Sequence, residues 1–126
     1  MSRELFGFKG GVHPPEHKAE SNKRPIHAAP LPKKLVIPLR QHIGNPAKPV
    51  VEVGERVLKG QLIGAADGTI SCAVHASSSG TVTAIGPAVV PHPSGLPDIC
   101  ITIETDGRDE WIAHAPIDYR ALPPAE

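Results

Sequence analysis

Val53-Gly54-Glu55-Arg56-Val57-Leu58-Lys59-Gly60-Gln61-Leu62-Ile63-Gly64, answered further along by Ser79-Gly80-Thr81-Val82, decides the fold class. The chain turns at Gly54, buries two aliphatic side chains, turns again at Gly60 and enters an apolar run. A matching strand starts after Gly80, since glycine takes a tight turn at little cost. Working outward, the same alternation of short aliphatic runs and turn residues continues: Leu35 to Ile37, Val50 to Val53, Gln61 to Ile63, Ile70 to Val74, Thr81 to Ile85 and Ile99 to Glu104. Runs this short and this rich in β-branched residues are strands. They predict a small all-β sandwich or barrel. In the last run Ile99, Ile101 and Ile103 are expected to face the core and Cys100 the opposite side. Trp111-Ile112-Ala113 reads as an added edge strand.

Proline divides the chain. Pro14, Pro15, Pro25, Pro30 and Pro32 crowd the first third, where they break helices and push the residues before them toward extended geometry. Residues 1–34 therefore read as an extended arm. From Val50 through Gly86 there is no proline at all, and the body of the fold, over residues 35–115, is expected to centre there. Residues 116–126, with Pro123 and Pro124, read as a linker.

At 126 residues the chain holds one core, and with only 3% aromatic residues (Phe6, Phe8, Trp111, Tyr119) that core must be aliphatic. Thirteen Lys/Arg balance thirteen Asp/Glu, which argues against a nucleic-acid binder. The two halves differ, however: Met1 to Gly60 carries eleven basic and five acidic residues, Gln61 to Glu126 two and eight. This is a solvated basic arm leading into an acidic body, or a basic face that docks on an acidic subunit or lipid. No apolar run reaches the ~18 residues of a membrane span, and no secretory h-region follows Met1, so a cytoplasmic protein is expected. Cys72 and Cys100 lie in separate strand-like runs and read as buried free thiols.

The two glycine-cornered segments resemble the halves of a biotinyl/lipoyl-type barrel-sandwich hybrid. In a swinging-arm carrier of that fold a lysine near Gly68-Thr69-Ile70 would take the cofactor. Lys59 is the last lysine of the chain, which removes that activity. A closer resemblance runs through nearly the whole length. Gly10-Gly11-Val12-His13-Pro14-Pro15-Glu16-His17-Lys18, Ile37-Pro38-Leu39-Arg40-Gln41-His42-Ile43-Gly44, the Val53 to Gly64 segment, His75-Ala76 and Ser79-Gly80-Thr81-Val82 follow in the order seen in the N-terminal region of the C subunit of the Rnf electron-transport complex. The A subunit of the sodium-pumping NADH:quinone oxidoreductase is similar in architecture but lacks the Gly-Gly-Val-His-Pro-Pro-Glu signature. Where the Rnf family commonly has His-Ala-Pro, this chain has His75-Ala76-Ser77.

The resemblance implies a non-catalytic structural or docking domain of an ion-translocating ferredoxin:NAD+ oxidoreductase, peripheral on the cytoplasmic side of the membrane. Its implied partners are other domains of the same subunit and other Rnf subunits. The parent subunit is implied to use FMN, NADH and 4Fe-4S clusters. None of these is expected within this segment: the glycine-rich flavin/NADH loop is absent, and two separated cysteines cannot supply the four thiolates of a cubane cluster. Residues 116–126 would lead toward that flavin/NADH domain. The alternative is a free-standing biotinyl/lipoyl-like binding module without a carrier lysine.

Several residues invite other readings. His13 and His17, with His42, suggest a metal, but Pro14 and Pro15 prevent the helical spacing that would align the first two. Gly10 and Gly11 lack the Lys-Ser/Thr of a phosphate loop and read as a backbone bend. His42 is expected to hold its turn by donating to a backbone carbonyl. Asp106, Asp109 and Glu110 read as a solvated turn rather than an acid-base pair, and Ser77-Ser78-Ser79 as a polar turn rather than a nucleophile. Docking is assigned to Lys33 and Lys34. The structural motif comprises Gly10, Gly11, His13, Pro14, Pro15, Glu16, Gln41, His42, Gly44, Gly54, Gly60 and Gly80.

Overall fold

The computed structural model describes residues 10–11 and 14–122. Seven strands follow one another: β1 Lys34–Pro38, β2 Lys48–Pro49, β3 Arg56–Val57, β4 Leu62–Ala65, β5 Val74–His75, β6 Gly80–Val89 and β7 Pro97–Thr105. Single 3-10 turns at Lys18–Glu20 and Tyr119–Ala121 are the helical elements among the described residues. All pairings are antiparallel within two sheets, one in the order β1-β7-β6-β3 and the other β2-β4-β5. The sheets close over an aliphatic core: Ile37, Val57, Val82, Ile101 and Ile103 from the larger, Ile63 and Val74 from the smaller, with Leu39, Ala47, Val51 and Ala76 from the connections. This is the all-β barrel-sandwich arrangement that the glycine-cornered segments predict.

A β-bulge keeps the core in register. Val82 lies opposite Ile103 but Ala84 opposite Thr102, so Thr83 is the extra residue. Because of it, Ile85 comes to lie opposite Ile101, and both β6 aliphatics face core isoleucines instead of one turning to solvent. Gly80, at the start of β6, is required by proximity: a methyl group there would run into the Glu104 carbonyl across the ladder.

Several expectations need correction. Val50 to Val53 is not a strand; β2 is the short Lys48–Pro49 pair, and the valines form the turn into β3, closed by Glu55 N–H donating to Glu52 O. Of the run Ile70 to Val74, only Val74 pairs, because the Ile70 carbonyl is taken by the Asn45 N–H. Trp111 makes one parallel bridge to Lys59, not an edge strand. The longest hairpin, β6–β7, runs through Pro87 and beyond the proline-free stretch. Proline is tolerated there because β3 pairs with β6 only at Gly80 and Thr81, which leaves the rest of β6 as a sheet edge.

The isoleucine alternation holds for Ile101 and Ile103 but not for Ile99, which is 43% exposed. Leu39, just beyond β1, bonds Ile99 O through its N–H and packs its side chain against Gly64 of the other sheet. Cys100 is buried, between Pro38 and Gly86 in register, whereas Cys72 is exposed, contrary to the reading of both thiols as buried.

Candidate functional site

The arm meets the barrel at Lys33. Thr105 N–H donates to Lys33 O at 2.9 Å and Thr105 Oγ1 to Pro32 O at 2.6 Å, so the main chain is pinned to the end of β7 just before β1 begins. Lys33 and Lys34 are exposed, and neither has an ion pair among the described residues. The cations between β1 and β7 are different: Arg40 pairs with Asp98, Lys48 with Asp67, Arg56 with Asp106 and Glu110, and Lys59 with Asp109. Two charges without an ion pair among the described residues therefore stand on a pinned backbone at the barrel rim.

The remaining motif residues build turns. Gly10 and Gly11 both take positive φ, 103° and 145°, as a backbone bend requires. His13 lies outside the described residues. Pro14, Pro15 and Glu16 are exposed, with Glu16 accepting Lys18 Nζ at 2.9 Å. Gln41 Nε2 donates to Pro38 O at 3.0 Å at the end of β1. His42 holds its turn in the opposite sense to that expected: its Nδ1 accepts the Gly44 N–H at 3.0 Å. Gly44 is needed because a side chain would collide with the Ile70 carbonyl. Gly54 donates its N–H to Val82 O, and Gly60 donates to Ala76 O with the Trp111 ring packed over it. His17 is engaged by Glu20 and His42 by Gly44, and among the described residues no three His, Cys, Asp or Glu side chains converge as a metal site. The carrier position between β4 and β5 holds no lysine and presents the Cys72 thiol instead.

The most connected polar cluster falls where the sequence predicts only solvated turns. Ser78 and Ser79 are fully buried; Ser78 Oγ donates to Asp109 Oδ1 at 2.8 Å and Ser79 Oγ to Asp106 Oδ1 at 2.7 Å. Ser79 Oγ also accepts the Glu110 N–H. Arg56 spans Asp106 and Glu110, while Lys59 bonds Asp109 and lies 4.9 Å from the centre of the Trp111 ring. The Ser79 hydroxyl, with the Arg108 N–H and Arg56, holds the Asp106 carboxyl below the usual range, and Lys59 with Ser78 does the same for Asp109. Glu110 and Asp106 push the Arg56 guanidinium up. The cluster clasps the segment after β7 onto the barrel. It is a structural knot, since every acid in it is matched by a cation or hydroxyl.

The same stretch of chain is matched by the family model described as RnfC barrel sandwich hybrid domain, over residues 6–108. Similar proteins include the C subunit of the ion-translocating oxidoreductase complex of Serratia proteamaculans, 46% identical over 97% of this chain and 17% of that protein. Its namesake from Pseudomonas aeruginosa is 50% identical over 95% and 16%, and that from Haemophilus influenzae 44% identical over 99% and 19%. The chain spans about a sixth of the length of these curated relatives.

Proposed function

We propose that this chain, which belongs to the RnfC barrel sandwich hybrid domain family, is the non-catalytic docking domain of the C subunit of an Rnf complex. Its barrel holds the electron-input part of that subunit in register with other Rnf subunits, peripheral to the membrane on the cytoplasmic side. Flavin, NADH and iron-sulfur chemistry belongs to the other parts of the subunit. Two cysteines, one buried and one exposed, fall short of the four thiolates a cubane needs. No helix among the described residues is long and apolar enough to cross a membrane.

One observation carries the docking reading. Among the described residues Lys33 and Lys34 make no ion pair on a pinned backbone, while the cations between β1 and β7 are neutralised within the chain. A charge held in place without an internal partner is suited to an external acidic one. Reversing both, with Lys33→Glu and Lys34→Glu in the whole subunit, should reduce its co-purification with the rest of the complex by about tenfold at low salt, each exposed pair being worth roughly 0.2–1 kcal/mol and its reversal a similar repulsion. The difference should shrink as salt rises toward ~0.5 M. Unchanged assembly at low salt would contradict the reading.

A further inference from the structure

The hydrogen bonds of β1 define which of its backbone groups are unused. Leu39 N–H donates to Ile99 O at 3.0 Å and Thr105 N–H to Lys33 O at 2.9 Å, at the two ends of an uninterrupted antiparallel register. Such a ladder bonds alternate residues, so 33, 35, 37 and 39 face β7, and Lys34, Val36 and Pro38 turn their backbone groups outward. Pro38 has no N–H, and its carbonyl already accepts Gln41 Nε2. At Lys34 and Val36 the edge is open, with no strand against it among the described residues.

A groove of about 990 Å³ adjoins this edge. Leu35 to Pro38 line it together with the apolar Ile43, Val90 and Leu96, and the Arg40–Asp98 pair lines its polar part. Ile43 and Leu96 are among the most exposed large apolar side chains described, and Val36 is itself half exposed. Backbone donors and acceptors and a largely apolar groove thus lie along β1, at whose start stand two lysines without an ion pair among the described residues.

We propose that the outer edge of β1 takes up an extended segment of another polypeptide as an added strand, with apolar side chains in the groove and acidic ones beside Lys33 and Lys34. Strand addition of this kind draws affinity from main-chain bonds and selectivity from the side chains. The charge argues for a different polypeptide and not a second copy. Pairing β1 with itself about Val36 would set Lys34 opposite Pro38 and bring Lys33 and Lys34 toward the Arg40–Asp98 pair of the copy, whose carboxylate is already engaged, with no acid on either strand. Lysine and proline on an edge are the usual guard against self-pairing. The inference rests on the docking reading and specifies the chemistry of the partner.

A capped hexapeptide of alternating valine and glutamate, and its counterpart with lysine for glutamate, test this by titration into the 126-residue chain with amide exchange followed by NMR. The glutamate peptide should slow exchange at Lys34 and Val36 by about tenfold, leave Leu35 and Ile37 unchanged, and bind at least about tenfold more tightly than the lysine peptide. Val36→Pro removes the outward N–H and should abolish binding. Val36→Asp, which leaves the backbone free and adds a repelling charge, should do the same in a chain whose fold the proline has not disturbed. Equal binding of the two peptides, binding without slowed exchange at Lys34 and Val36, or self-association of the chain lost on Val36→Asp would each overturn the proposal. If Val36→Asp leaves assembly of the complex intact while the double lysine reversal disrupts it, strand addition is wrong and the docking reading stands.

Discussion

Cys72 and Cys100 share a side chain and differ in chemistry because of where their strands end. Burial, and then the charge of Asp98, push the Cys100 thiol up, and at 1% exposure it is closed to reagents. Cys72 sits in the exposed approach to β5. Iodoacetamide should therefore add one group rapidly, at Cys72, and a second only after denaturation, as read by mass spectrometry and peptide mapping. Equal labelling of both in the folded chain would show that Cys100 is not sealed. The sequence places both cysteines in aliphatic runs and gives no sign of this difference. That difference depends on Asn45 capturing the Ile70 carbonyl, a contact between segments well separated in the chain. His42 is a similar case. Its place in a turn is legible, but that it accepts from the Gly44 N–H depends on the backbone path of that turn, which the sequence does not show.

At the scale of elements, the clasp between the Ser78-Ser79 turn and the segment after β7 has a pH dependence of definite sign. The carboxyls of Asp106 and Asp109 are held below their ordinary value, near 3.8. A lowered folded-state value contributes stability that is present above the unfolded value and lost as pH falls through the folded one. The thermal midpoint should accordingly change little on this account between about pH 7 and about pH 5, then fall below about pH 4. Asp106→Asn with Asp109→Asn should lower the midpoint at neutral pH and make the acid fall shallower; an acid fall of the same depth in the variant would rule out these two groups. Ser79→Ala deprives the Glu110 N–H of its acceptor and Asp106 of a donor in a fully buried position. Its cost, read from urea unfolding, should be about 1–3 kcal/mol. Pattern reasoning located most of the strands, because aliphatic runs and glycine corners are local signals. It missed this cluster because Asp106, Asp109 and Glu110 look like a solvated turn until Arg56 and Lys59, 50 or more residues earlier, are folded against them.

Across the whole molecule, the charge asymmetry visible in the sequence is resolved by folding into two kinds of cation. Arg40, Lys48, Arg56 and Lys59 are drawn into pairs with acids, three of which (Asp106, Asp109 and Glu110) follow β7, and they tie the barrel together; Lys33 and Lys34 at its rim, like Lys23, Arg24 and Arg108, make no ion pair among the described residues. The docking role proposed above would make this chain, about a sixth the length of its relatives, a connector. If it works as one, it is part of a longer polypeptide held at the membrane through electrostatic contacts. An antibody raised against this segment should detect a band well above 13.3 kDa in the membrane fraction of the native cells. A wash at about 1 M salt, where the screening length falls to ~3 Å, should release part of it without detergent. A soluble band near 13.3 kDa would instead identify a free-standing module, and the kinship with Rnf subunits would then describe its ancestry and not its role.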